Sequence, residues 1–352
     1  MIIFYDPEHG LHDPQSELKG GEFGSPQEAP ERLERVLTAL TKADCAVQKC
    51  TEDYGIGPIL AVHGQDYVIF LEEAWARWRA EGRSGDILPL VWPGDGMRRD
   101  VMPLSIDGKI GLYCFDIGTP ITRHTYKVAY GAAQCAAASA AAITAENTEH
   151  ALCLTRPPGH HAMPSGYGGY CFFNQAAIAA QKLIDDGKGR IAILDVDYHH
   201  GNGTQSIFYN RSDVLVINIH ADPDEEYPYF LGHADETGVA EGTGFNKNYP
   251  LPRGTGWERY KQSFDIALQE IQAYEPEALI VSLGLDTGEH DPLGHFTLNR
   301  SNYSAMGEAI RALNLPLITV LEGGYDRENI GDYLIAYLGS PKKSADEPST
   351  PL

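Results

Sequence analysis

The residues best able to do chemistry lie in one run, Ile191-Ala-Ile-Leu-Asp-Val-Asp-Tyr-His-His-Gly-Asn-Gly-Thr204. Its first four residues are apolar, rich in β-branched types and preceded by the turn-like segment 185–189, which predicts a buried strand, parallel because both faces are apolar. Beyond Leu194 the run becomes titratable. Alternation along an extended chain sends Asp195, Asp197 and His199 to one side and Val196, Tyr198 and His200 to the other. Two carboxylates and an imidazole on one side form half of a metal site. An ordinary polar loop gives no reason to gather them, since burying such groups unpaired costs several kcal/mol.

Those groups need a frame, and the rest of the chain predicts one. Apolar strands are expected at Met1–Tyr5, Ala151–Leu154, Ile191–Leu194, Val214–Ile219, Ala278–Leu283 and Leu317–Leu321. Helical spacing marks Ala29–Leu40, Gln65–Arg79, the Ala-rich Thr125–Ala145, Asn174–Asp185, Trp257–Tyr274, Asn302–Ala312 and Asn329–Leu338. Strands alternating with helices predict the α/β class: a single three-layer αβα domain over 1–339 with a mainly parallel central sheet. Ligands of such sheets bind outside the carboxyl ends of the strands. Four expected strands end in loaded sequences: Arg156-Pro-Pro-Gly-His-His-Ala162, Asp195–Thr204, Gly284–Asp291 and Glu322-Gly-Gly-Tyr325. One site built from four strand ends explains them all.

Three segments fall outside that alternation. Asp6–Gln27 reads as a polar loop, and Gly82–Gly108, with Pro89, Pro93 and Pro103, as a long irregular segment. Loops of that length serve as lids, binding loops or interface elements. The polar, Pro- and Ser-containing segment 340–352 reads as a disordered tail.

Composition narrows the function classes. With 49 acidic and 27 basic residues among 352, the net charge is −22, which disfavours nucleic acid and permits a cationic substrate. The first residues have neither a basic region nor a long apolar run, and no segment reaches membrane-spanning length. Six scattered cysteines make no C-x-x-C pair, which argues against a zinc knuckle or a disulfide frame. A cytoplasmic protein with reduced cysteines and no membrane partner is expected.

Taken in order, the four strand-end motifs resemble the histone deacetylase family, which includes acetylpolyamine amidohydrolases. The resemblance runs from about Met1 to Leu338 and implies the arginase/deacetylase fold, one zinc ion and hydrolysis of a linear amide. It implies Asp197, His199 and Asp286 as metal ligands, a set that leaves an open position and also suits iron(II). It makes His161 the general base, oriented by Asn202, and His160, held by Asp195, an electrostatic stabiliser. Tyr325 becomes the donor to the oxyanion, and Asp291 a supporting acid near the third ligand. Potassium is implied as a structural cation around Asp195–His199.

The substrate side of the resemblance points to the acetylpolyamine branch. Glu17-Leu18, the long 82–108 segment, Gly166-Tyr-Gly-Gly-Tyr-Cys-Phe-Phe-Asn174, Asp222-Pro223 and Tyr227-Pro228 stand where that branch has counterparts. Tyr170 and Tyr227 are implied as tunnel walls and the Gly169 carbonyl as acceptor of the substrate amide N–H. Glu17 and Asp107 are implied near the mouth, facing a distal ammonium. A second acidic position of the branch falls on Gly118, with Asp116 nearby. The branch also implies a homodimer, with the long loop packed on a second subunit. The alternative within the family is a general acetyl-lysine deacetylase. An arginase-type ureohydrolase needs an Asp-x-His-x-Asp arrangement that Asp-Val-Asp-Tyr-His lacks. A metal-stabilised binding module would have lost a histidine or tyrosine of the set.

Overall fold

The computed structural model describes residues 1–339; the expected tail at 340–352 lies outside the described residues. The strands are β1 (Ile2–Tyr5), β2 (Glu17–Lys19), β3 (Glu22–Gly24), β4 (Gln48–Lys49), β5 (His150–Leu154), β6 (Ile191–Asp195), β7 (Val214–Ala221), β8 (Asn246–Leu251), β9 (Ala278–Leu283) and β10 (Leu317–Leu321). Eight form one sheet in the order β4-β1-β5-β10-β9-β6-β7-β8, and every pairing in it is parallel. The four strands with loaded ends are therefore its four central neighbours. Register aligns them: Cys153, Val320, Ser282 and Asp195 form one row across β5, β10, β9 and β6. Parallel direction and shared register deliver all four following loops to one edge.

Period-two alternation sorts the strand residues between two apolar layers. Ile191, Ile193, Ile280, Ile318 and Val320 join the core under the helices Thr125–Thr144 and Gln175–Asp185. Ala192, Leu194, Val281, Leu283 and Leu321 face the helices Pro30–Lys42, Trp257–Tyr274, Arg300–Arg311 and Ile330–Leu338. Local chemistry starts the helices close to where the spacing predicts. Pro30 occupies the first turn of one, Asn174 accepts from Ala177 N, and Asn299 forms a capping box with Asn302.

Other segments depart from expectation. Within Asp6–Gln27 lie a one-turn 3-10 helix, His9–Leu11, and the antiparallel hairpin β2–β3, which buries Glu17. The 82–108 segment is irregular only to Ser105, whose side chain accepts from Gly108 N and starts the helix Ile106–Tyr113. Edge strands β4 and β8 were not expected, because Gln-Lys and Asn-Lys-Asn-Tyr-Pro-Leu lack an apolar run.

A buried ionic knot stands behind the site. Glu28 Oε1 lies 3.1 Å from Arg32 Nη1 and 2.9 Å from Arg156 Nε, all three side chains being buried. Burial alone would raise the Glu28 pKa, but Arg156 and Arg32 together hold it below its ordinary 4.5. Its stabilising contribution is thus fully present above that value and is lost as pH falls through the lower folded pKa. Glu28→Gln leaves two guanidinium groups short of their counter-charge and should cost about 3–5 kcal/mol. Urea unfolding at pH 7 checks this; a loss under 1 kcal/mol would mean that solvent reaches the knot.

Candidate active site

The chain leaves β6 at Asp195 and continues to alternate. Val196 and Tyr198 sink into the apolar layer, while Asp195, Asp197 and His199 turn to the site. Backbone N–H groups fix each carboxylate: Asp195 Oδ1 accepts from Asp197 N (3.1 Å), Asp197 Oδ2 from Gly323 N (2.8 Å), and Asp286 Oδ1 from Tyr198 N (2.9 Å). Each bond ties one strand-end loop to itself or to another. The loops after β6, β9 and β10 therefore hold one another in place.

Ligand atoms of Asp197, His199 and Asp286 all lie within 4.8 Å of one another. Burial and then the charge of Asp197 push the Asp286 carboxyl up to about 7. The backbone leaves room for one. A Cβ at Gly323 would stand 2.6 Å from both Asp197 Oδ2 and Asp286 Oδ2, and one at Gly284 would stand 2.2 Å from Asp197 Oδ2. Two carboxylates and one imidazole, one side open to a cavity, suit a single divalent catalytic ion.

The loop after β5 brings the tandem histidines. His160 Nδ1 faces Asp195 Oδ2 at 2.9 Å, and His161 Nδ1 faces Asn202 Oδ1 at 2.6 Å. Their partners set opposite charges. Burial opposes protonation of His160, yet Asp197 and Asp195 push it up to about 10. Burial, then the positive charge of His160 and that of His199, drive His161 well below its ordinary 6.5. The ring centroids are 4.0 Å apart. With Nδ1 bonded to the Asn202 oxygen, the neutral His161 keeps Nε2 as an acceptor.

Glu322, directly after β10, locks that histidine loop. Its Oε2 accepts from Gly159 N (2.7 Å) and His160 N (3.1 Å), and its Oε1 accepts from Ser282 (3.0 Å). Gly324, at φ +121°, then turns the chain where a side chain would meet Leu285, and Tyr325 follows. Arg32 donates to Glu322 O (2.7 Å) and Gly324 O (2.5 Å) and lies 4.6 Å over the Tyr325 ring. Asp291 Oδ2 accepts from Tyr325 N at 2.5 Å.

His161, His199 and Tyr325 open onto a cavity of about 460 Å³ that Glu17, Gly169, Tyr170 and Tyr227 also line. Glu17 Oε1 accepts from Tyr170 Oη (2.6 Å) and its Oε2 from Gln27 N (3.0 Å). Asp107 is not brought there: the Arg83 guanidinium grips both its oxygens at 2.5 and 2.7 Å, away from the cavity. Besides Glu17, the acids that do line it are Asp116 and Glu226.

Sequence reasoning assigned no role to Arg32, Glu28, Arg156, Glu322 or Asp116. One signal was available for Arg32: a charge on the same helical face as Leu33, Val36 and Leu40, all buried, is out of place unless it is paired.

A family model described as the histone deacetylase domain matches residues 26–339. This chain belongs to the histone deacetylase family. It is 48% identical over 331 residues to acetylpolyamine amidohydrolase 2 of Pseudomonas aeruginosa, covering 94% of this chain and 96% of that protein. It is 43% identical over 333 residues to the acetylpolyamine amidohydrolase of Mycoplana ramosa, covering 94% and 96%. The crystal structure of acetylpolyamine aminohydrolase from Burkholderia pseudomallei superposes with a TM-score of 0.91 at 37% identity, covering 97% of this chain and 98% of that one. The chain is accordingly a hydrolase of this metal-dependent family, with the family's mainly parallel three-layer fold. No helix among the described residues is long and apolar enough to cross a membrane.

Proposed function

We propose that the protein hydrolyses the acetamide of small, linear acetylated polyamines and diamines with one zinc ion held by Asp197, His199 and Asp286, iron(II) being the other metal that suits them. The observation that carries the substrate is Glu17, a buried carboxylate in the wall of the cavity that His161, His199 and Tyr325 share. A buried carboxylate suits the distal ammonium of a chain whose acetyl end lies at the metal. The names of the relatives from P. aeruginosa and M. ramosa support the same reading.

The chain's own groups divide the chemistry. Zinc supplies Lewis acidity to the acetamide carbonyl and to water. Neutral His161 accepts the proton that water gives up on attack and passes it to the departing amine. His160, held by Asp195, stabilises the negative charge that develops. The Tyr325 hydroxyl donates to the oxyanion, and the Gly169 carbonyl accepts the amide N–H.

A homodimer belongs to this proposal. The 82–108 segment leaves Leu90 77%, Leu104 89% and Met97 61% exposed, with Val91, Trp92, Val101 and Met102 exposed beside them. An apolar row of this extent suits a covering subunit. Potassium near Asp195–His199 and a cytoplasmic setting, the latter in keeping with six unpaired cysteines, complete it.

The test is kinetic. N-acetylputrescine, N-acetylcadaverine and N-acetylspermidine should each exceed an acetyl-lysine histone peptide in kcat/KM. Glu17→Gln should cut kcat/KM for the acetylated diamines about tenfold to a hundredfold, the value of one charge-assisted contact, and spare N-butylacetamide. A histone peptide preferred by the wild type would replace this reading with a general acetyl-lysine deacetylase.

A further inference from the structure

We propose that Asp116 is a positioning residue that sets the width of the substrate channel by tying its two walls to one carboxylate. This rests on the reading of the cavity as the site of amide hydrolysis.

The geometry is specific. Asp116 Oδ2 accepts two bonds from different parts of the chain, from Gly169 N (2.5 Å) and from Tyr227 Oη (2.8 Å). Its Oδ1 accepts from Gly118 N at 3.0 Å, which fixes the carboxylate plane. Three residues on, Thr119 Oγ1 accepts from Tyr170 N at 2.9 Å. The 116–119 segment thus holds both consecutive N–H groups of the Gly169–Tyr170 turn, where each residue has a positive φ, +55° and +65°. A Cβ at Gly169 would stand 2.2 Å from the His161 ring, so this turn lies as close to the base as backbone can come. Cys171 Sγ lies 3.2 Å from Gly169 O and holds the other side of the same peptide.

Tyr227, from the loop after β7, lines the same cavity. Its ring meets His161 edge-on with centroids 5.0 Å apart and His199 with centroids 6.1 Å apart. Its hydroxyl is held by Asp116 alone among the described residues. One carboxylate therefore sets the gap between the Gly169 carbonyl and the Tyr227 ring, the gap through which an acetylated amine must pass. Without it, a half-buried N–H and a phenol lose their acceptor and both walls relax outward.

This role differs from that of an ammonium partner. Asp116 already accepts three bonds from the protein's own N–H and O–H groups, two of them on Oδ2, whereas each oxygen of Glu17 accepts one and keeps a lone pair for a substrate N–H. The two roles separate on a neutral substrate. An ammonium partner matters to N-acetylputrescine and not to N-butylacetamide, whereas a width-setting clamp matters equally to both.

The experiment measures kcat and KM for N-acetylputrescine, N-butylacetamide and an acetyl-lysine peptide with wild type, Asp116→Ala, Asp116→Asn, Tyr227→Phe and the Ala/Phe double variant, each checked for metal content. Asp116→Ala should raise KM for both small amides about tenfold to a hundredfold, with kcat within about threefold. Its ratio of kcat/KM for small amide over peptide should fall by a similar factor. Asp116→Asn, whose amide oxygen can still accept from Gly169 N and Tyr227 Oη, should recover most of the loss. Tyr227→Phe should reproduce part of the loss, and the double variant should add little to Asp116→Ala. Loss confined to N-acetylputrescine, loss in kcat alone, an unchanged small-to-peptide ratio, or Asn as damaging as Ala would overturn the clamp. A wild type that prefers the peptide would refute the polyamine reading and leave the change between wild type and Asp116→Ala as the measure of the clamp.

Discussion

Tyr325→Phe is expected to lower kcat by about 10²–10³ while leaving metal content and fold as in the wild type. The substitution removes one hydroxyl and nothing that holds the ring. Arg32 lies 4.6 Å over the ring, a cation–π contact that Phe keeps. Asp291 holds the backbone at Tyr325 N, a bond no side-chain change touches. The Tyr170 ring packs edge-on with centroids 5.7 Å apart and meets the same surface in the variant. On the proposed mechanism the loss therefore reports the donor to the developing oxyanion. It should fall on kcat and kcat/KM together, because the bond is made in the transition state more than in the bound amide. Steady-state kinetics with metal analysis checks this. Turnover within about threefold of wild type would reassign the hydroxyl to structure.

Four strand ends were legible in the sequence because each couples two unlike signals, an apolar β-branched run and an abrupt change to Asp, His, Gly or Tyr. Helices with strong spacing, such as Trp257–Tyr274, were legible to the residue. The hairpin around Glu17 was not, because strands of three residues joined through Gly20 and Gly21 have no period to detect. Nor was the helix Ile106–Tyr113, which follows Pro103 and contains two glycines and so reads as more of the loop before it. Side-chain partnerships across long separations were the least legible. The sequence placed an acid at 107 and another at 116, but which of them reaches the cavity depends on Arg83, which captures the first, and on the Gly169 turn and Tyr227, which recruit the second. Such pairings are decided in three dimensions and leave no local pattern.

Removal of the metal is expected to have the largest effect. Chelation should abolish hydrolysis, and one equivalent of zinc or iron(II) should restore it, because no other group at the site replaces Lewis acidity worth several kcal/mol, about 10³ or more in rate. The protein should respond even without substrate. Asp197 and Asp286 are buried side by side beneath Gly323, their repulsion answered by His199, which lies 3.1 Å from Asp286 and 3.4 Å from Asp197. A divalent ion binds this arrangement and not the unfolded chain, so it stabilises by mass action, about 2.7 kcal/mol at a hundred times its Kd. The Tm of the chelated protein should therefore rise with added zinc in step with recovered activity. Asp286→Asn separates the two effects. It removes one charged ligand and the carboxylate repulsion together, so the metal-free variant should be at least as stable as metal-free wild type, yet gain little Tm from zinc and show no turnover at stoichiometric metal. Hydrolysis by fully metal-free wild type, or full activity of Asp286→Asn at one equivalent of zinc, would remove this residue from the ligand set.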